Sequence, residues 1–209
     1  MSEEITDEMV SKIKIIAESG NAEGQRMLGT LHRTGTHFSE SISEAMRWYR
    51  LAADQGNAAA QGCLAGCLIE IGKPEEAIGW LIRAAEQGSV EECARLAIAY
   101  DEGTGIPKDR VRALKWYHVA AEKGDAHSQV LLGMAYDDGD GVAEDLEKAA
   151  FWYRKAAEQS FAGGEYLLGR AFCFGRGVPE NITDGREWVT KAADQGYEPA
   201  HALLREFSN

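Results

Sequence analysis

Positive charge is scarce in this chain: 22 Lys and Arg stand against 34 Asp and Glu over 209 residues, a formal net charge of −12. Nucleic-acid affinity rests on clustered Lys and Arg that displace counterions from phosphates, so this balance argues against DNA or RNA as a partner. Long apolar runs are missing as well. No stretch nears the roughly 18 consecutive apolar residues of a membrane-spanning helix, which argues against membrane insertion. The first twelve residues, MSEEITDEMVSK, are acidic where a secretory signal would be basic and then apolar. A cytoplasmic location is the expectation. Cysteine occurs four times, and with no export signal in the sequence a disulfide framework is not the expected source of stability. Proline also occurs four times, at Pro74, Pro107, Pro179 and Pro199, leaving long stretches free to be helical. With 44% hydrophobic and 27% charged residues, the composition is that of a folded chain rather than a disordered one.

What is present is a period. The five tryptophans stand at Trp48, Trp80, Trp116, Trp152 and Trp188, spaced 32, 36, 36 and 36, and none lies outside that ladder. An Ala or Gly precedes each by three positions (Ala45, Ala77, Ala113, Ala149, Gly185), and an Ala-Ala pair follows each, beginning four positions on. Each unit closes in the same register with Gly56, Gly88, Gly124, Ser160 and Gly196. One supersecondary unit has been copied along the chain.

That unit is helical. Between Ala126 and Asp138, apolar or small residues recur at Ala126, Val130, Leu132, Gly133 and Tyr136, the three-and-four spacing of one helix face. The closing glycines suit the left-handed position just past a helix, and Asn21, Asn57, Ser89 and Asp125 suit the N-cap that follows. Ser41 with Glu44 and Ser89 with Glu92 read as capping boxes. Gly29, Gly133 and Gly169 open room on the leading helix of a pair, and Trp with its Ala pair supplies a large knob on the trailing helix. A single pair leaves an apolar face uncovered, so units must stack and the ends need lids. The reading is an all-α, right-handed superhelical solenoid of about five helix pairs forming one repeat domain over residues 1–209. Residues 6–19 form an N-terminal capping helix with Met9, Ile13 and Ile16 inward. Repeats cover 21–56, 57–88 with a shortened loop, 89–124, 125–160 and 161–196, and a C-terminal capping helix covers 197–209 with Leu203, Leu204 and Phe207 inward.

The run Ala-His-Ser-Gln-Val-Leu-Leu-Gly-Met-Ala-Tyr-Asp-Asp-Gly-Asp-Gly-Val, followed by Asp145, Ala149, Trp152 and Ala156-Ala157-Glu158-Gln159, resembles the Sel1-like repeat, a relative of the tetratricopeptide repeat with a longer inter-helix loop. The resemblance spans residues 21–197. Two units depart from it: the first has His37 in place of the second loop glycine, and the second runs through Gly72-Lys73-Pro74 without four loop residues. The resemblance implies a protein-interaction module that acts as an adaptor, a scaffold or an inhibitor of the immunity-protein kind. Some secreted members carry a cysteine pair in every repeat and have been linked to penicillin binding or hydrolysis; that activity is the alternative, and this chain lacks the pairing.

The residues themselves supply little chemistry. Cys63 and Cys67 share a helix four apart, a possible metal pair, but both occupy packing positions, and free cysteine packs as a small hydrophobe. The five histidines form no metal spacing and no nucleophile pair. The Asp137-Asp138-Gly139-Asp140-Gly141 loop lacks the later ligands of a calcium loop. No catalytic residue, metal or cofactor is expected. By analogy with tetratricopeptide relatives, the leading helices line a concave groove. The candidate partner-binding positions there are Arg26, Arg33 and Glu70; an acidic middle of Glu91, Asp101, Glu102, Asp137 and Asp138 with His127 and Met134; and Tyr166, Arg170 and Phe174. Such a strip suits a basic or mixed-charge peptide with an apolar anchor. The polar outer faces of the caps argue for a monomer rather than end-to-end stacking.

Overall fold

A computed structural model describes residues 6–207. The described residues form twelve helices and no strand: α1 Asp7–Glu18, α2 Ala22–Thr34, α3 Ile42–Asp54, α4 Ala58–Glu70, α5 Pro74–Glu86, α6 Val90–Glu102, α7 Arg110–Glu122, α8 Ala126–Asp138, α9 Leu146–Ala157, α10 Ala162–Phe174, α11 Ile182–Asp194 and α12 Glu198–Glu206. Met1 to Ile5 at one end of the sequence and Ser208 and Asn209 at the other lie outside the described residues, so the expected outer parts of both ends carry no structural account. The fold class is an all-α solenoid of helix pairs. Two compact units are distinguished, one ending at Lys108 and containing α1–α6, the other beginning at Asp109 and containing α7–α12. Within each unit every helix packs on the next in sequence.

Helix ends follow local chemistry. Asn21, Asn57 and Asp125 each accept a hydrogen bond from the backbone N–H three residues on. Gly56, Gly88, Gly124 and Gly196 adopt positive φ between 82° and 99°, the conformation that costs glycine no Cβ clash. Where the pattern departs from glycine the backbone keeps its shape: His37 and Ser160 hold φ of 61° and 58°. The second pair turns tightly, with Gly72 at φ 78° and Pro74 opening α5.

Three expectations need correction. In α1 the buried residues are Val10, Ile13 and Ala17, whereas Met9 and Ile16 are exposed. The true stripe follows the three-and-four spacing from Val10, and Met9 lies one residue off it. Ser89 makes no capping bond, and Glu92 is not its box partner, because the Glu92 carboxyl turns onto α4 beside Gly62. Nor is tryptophan the deep knob. Four of the five tryptophans are half-buried and only Trp152 is buried. The residue after each one is the inner knob: Tyr49, Leu81, Tyr117, Tyr153 and Val189 are at most 3% exposed. A Cβ on Gly29 or Gly133 would stand 2.7 and 2.6 Å from the rings of Tyr49 and Tyr153, so those glycines receive tyrosine. The indoles of Trp80 and Trp188 sit at the surface of the packing, where cations cover them, Arg83 at 4.8 Å from the Trp80 ring and Lys191 at 3.8 Å from that of Trp188.

A buried polar ladder ties each pair to the next. Gln25, Gln61 and Gln129 are buried, and each donates through Nε2 to an alanine carbonyl near the end of the preceding helix, Ala17, Ala53 or Ala121, at 3.4, 3.1 and 2.9 Å. Each accepts in turn from a glutamine that closes the following trailing helix: Gln55, Gln87 and Gln159, at 2.7, 2.8 and 2.9 Å. Both halves of the amide are thereby satisfied, as burial requires. At the same register Cys93 Sγ donates to Ala85 O, and Glu165 accepts from Gln195 at 2.7 Å.

Candidate functional site

The leading helices α2, α4 and α6 of the first unit line an open cleft of about 470 Å³. One strip of α4 contributes the small residues Ala59, Cys63 and Gly66 together with Cys67 and Glu70. Their spacing of three and four puts them on one face, and their small volume is what leaves the space. Arg26 and Arg33 on α2 bound one side, and Glu91, Glu92 and Arg95 on α6 the other.

Each guanidinium there is held by a carboxylate. Glu23 grips Arg26 through both Nε and Nη2, the shortest contact being 2.6 Å. Arg33 spans from α2 to Glu70 on α4 at 2.5 Å and reaches Glu40 at 3.5 Å. Arg95 pairs with Glu91 through Nη2, and its Nη1 lies 3.8 Å from Glu92 Oε1. Charge-assisted pairs of this kind fix the arginine heads in place.

Glu92 is the unusual member. It is 5% exposed, and its Oε2 has no hydrogen-bond partner among the described residues. Burial pushes its carboxyl above the usual carboxylate range, Arg95 pulling the other way. Its place in the repeat holds Gly24, Ala60, Ser128 and Gly164 in the other leading helices, all small. Opposite it stands Gly62, where a Cβ would overlap the Glu92 carboxyl, and the residues in register with Gly62 are Arg26, Ala94, Val130 and Tyr166. Burial also raises the Cys63 and Cys67 thiols, so neither is an activated nucleophile. Tyr49 closes the cleft from α3 and donates to Thr30 at 3.1 Å.

Of the positions expected in this unit, Arg26, Arg33, Glu70 and Glu91 come together around the cleft. Asp101 and Glu102 stand at the end of α6, outside its lining, half-buried and exposed respectively. Sequence reasoning missed Glu92 and Arg95. The signal for Glu92 was present, as a long acidic residue in a small-residue register matched by a glycine on the preceding leading helix.

In the second unit Asp137 is bound by Arg176 at 2.9 Å, so the acidity expected there is partly compensated from a loop residue that the groove register did not include. Asp137, Arg170, Arg176 and Leu167 surround a cavity of about 10 Å³ above Tyr153, whose buried hydroxyl has no hydrogen-bond partner among the described residues. Arg170 lies over the Tyr166 ring at 5.7 Å, and Tyr166 packs on Tyr197 at 5.4 Å. His127 meets Phe161 edge-on at 6.2 Å. Met134, Asp138 and Phe174 are exposed, and Phe174 is 53% accessible. No group of three or more His, Cys, Asp or Glu among the described residues is arranged to hold a metal ion, and none of the described helices is long and apolar enough to cross a membrane.

The family model for the Sel1 repeat matches residues 22–57, 71–89, 93–125, 126–161 and 162–197. The chain belongs to the Sel1 repeat family. Sel1 repeat proteins are typically protein-interaction modules. Among solved structures, a Sel1 repeat protein from Oxalobacter formigenes is similar with a TM-score of 0.84 and 29% identity, over 96% of this chain and 60% of that one. A protective antigen of uropathogenic Escherichia coli that displays an SLR fold is similar with a TM-score of 0.69 and 28% identity, over 91% of this chain and 50% of that one. The Sel1 chain described here thus spans about 60% and 50% of the lengths of those two. An immunity protein from Pseudomonas aeruginosa shares the fold alone, with a TM-score of 0.52 and 17% identity over 92% of this chain and 75% of that one. Comparison with curated proteins returns no match.

Proposed function

We propose that this Sel1 repeat chain is a non-enzymatic interaction module that holds a peptide or a segment of a partner protein against its leading helices, acting as a monomer in the cytoplasm. The observation that carries this reading is the open cleft on α2, α4 and α6, lined by charged side chains over a floor of small residues. A surface of that kind accepts an extended segment, with charge complementarity selecting it and apolar side chains anchoring it. Exposed Met134 and Phe174 supply apolar anchors on the leading helices of the second unit. The preferred partner segment is basic or mixed in charge: the chain carries a net charge of −12, and Asp138 and Glu102 remain exposed. An inhibitor role of the immunity kind and an adaptor role are both forms of this binding.

Pull-down from the native cell followed by affinity measurement at low salt tests the reading. Replacing Glu91, which lines the cleft, by Lys should weaken the recovered partner about tenfold or more, since the new lysine and the released Arg95 then face a basic segment. Unchanged affinity removes charge complementarity from the reading. Turnover of a chromogenic β-lactam that survives repurification would overturn the non-enzymatic reading.

A further inference from the structure

The geometry points to the Glu92 carboxyl as a specificity pocket for one cationic side chain, the arginine or lysine of a bound peptide, within the α2–α4–α6 cleft. This deepens the interaction reading above and rests on it. Three observations carry it. Glu92 is 95% buried yet lines the cleft, and its Oε2 is left without a hydrogen-bond partner among the described residues. A buried carboxylate with an unmade hydrogen bond is costly, and a core position has no need of one, because the same register is filled by Gly24, Ala60, Ser128 and Gly164 elsewhere in the chain. The chain makes room for it: Gly62 stands where any larger side chain would collide with the carboxyl, and the small residues Ala59, Cys63 and Gly66 line the same cleft as Glu92.

The sign of the ligand follows from what is already satisfied. Glu23 closes Arg26, Glu70 closes Arg33 and Glu91 closes Arg95, so the guanidiniums are committed within the protein. Arg95 Nη1, at 3.8 Å from Oε1, lies beyond hydrogen-bond reach and leaves Oε2 to a donor from outside. A guanidinium or ammonium supplies both the donor and the opposite charge, and does so in a desolvated setting, where such bonds are strongest. A carboxylate or phosphate group would meet Glu92 with like charge and finds no free guanidinium.

The test uses the full chain and three blocked pentapeptides, acetyl-Gly-Gly-X-Gly-Gly-amide with X as arginine, lysine or citrulline, the last being arginine's neutral isostere. Binding is followed by NMR titration and by the rate at which Cys63, which lines the cleft, reacts with a thiol reagent. The arginine or lysine peptide should shift resonances saturably and slow Cys63 labelling, and the citrulline peptide should do neither. Glu92→Ala and Glu92→Gln should each weaken binding at least about tenfold, the loss expected for a charged hydrogen bond. Because Ala60 already fills this register in α4, Glu92→Ala should retain its helix content, and the citrulline comparison needs no variant at all. Absence of saturable binding by both cationic peptides, equal binding of the citrulline peptide, or indifference to both substitutions would each overturn the assignment. None of those results touches the broader reading, which fails on a different one, the lack of any partner for the chain.

Discussion

Replacing Glu165 by Gln should stabilise the protein, by an amount set by one missing donor. In α2, α4 and α8 the glutamine at this register both accepts from the next trailing helix and donates to a carbonyl of the previous one. Glu165 keeps the first bond, from Gln195, but an ionised carboxylate cannot donate the second, to Ala157 O. Only 3% of Glu165 is exposed, so water does not make up the difference. Glutamine restores a hydrogen bond of about 0.5–1.5 kcal/mol and removes a buried charge, while weakening the charge-assisted bond from Gln195. The net gain at pH 7 is about 1 kcal/mol, a rise in Tm of about 2–4 °C for a chain of this size. The gain should depend on pH. Burial raises the Glu165 carboxyl above its ordinary value, against the pull of Gln195 and Lys191. A group raised on folding contributes stability that is full below its unfolded pKa and is lost as pH climbs through the folded one. Wild type should therefore approach the variant near pH 4, where the protonated carboxyl can itself donate, and fall behind it toward neutrality. Melts followed by circular dichroism from pH 4 to 8 decide the matter. Equal Tm at pH 7, or a gap that does not change with pH, would refute the reasoning.

Gly62→Ala should destabilise by about 1–3 kcal/mol through overlap with the Glu92 carboxyl, and the loss should largely vanish in a Glu92→Ala background, which a double-mutant cycle in urea measures. Tyr49→Phe should cost about 1 kcal/mol, because the hydroxyl donates to Thr30, whereas Tyr153→Phe should be neutral or stabilising, because its buried hydroxyl lacks a partner among the described residues; equal losses would contradict that contrast. Gly133→Ala should cost about 1–3 kcal/mol against the Tyr153 ring, and pairing it with Tyr153→Ala should show strong coupling in chemical denaturation.

The local half of this structure was legible because its causes are local. The spacing of three and four residues, the asparagine and aspartate caps and the glycines past each helix act within one turn of chain, and the helices stand where they indicate. The candidate site was legible in part. Arg26, Arg33, Glu70 and Glu91 surround a cleft, as their common helix face implies; the pairs of Arg26 with Glu23 and Arg95 with Glu91 follow helical spacing, while that of Arg33 with Glu70 joins residues 37 positions apart on two helices. Arg176 reaches Asp137 from a loop 39 residues away, which no single-helix pattern encodes.

Sequence alone determined that the chain is a stack of copied helix pairs, since a fixed period and its end signals are properties of the one-dimensional string. Tertiary structure decided which member of each pattern does the packing and which is left over. Four of the five conspicuous tryptophans lie at the rim and the tyrosine, leucine or valine beside each one fills the interior, because a helix face is turned by its neighbours and a one-residue rotation moves a side chain through about 100°. Only three dimensions bring Glu92 over Gly62 and leave one carboxylate oxygen unmet among the described residues, because hydrogen-bond satisfaction is a property of surroundings and not of residue type.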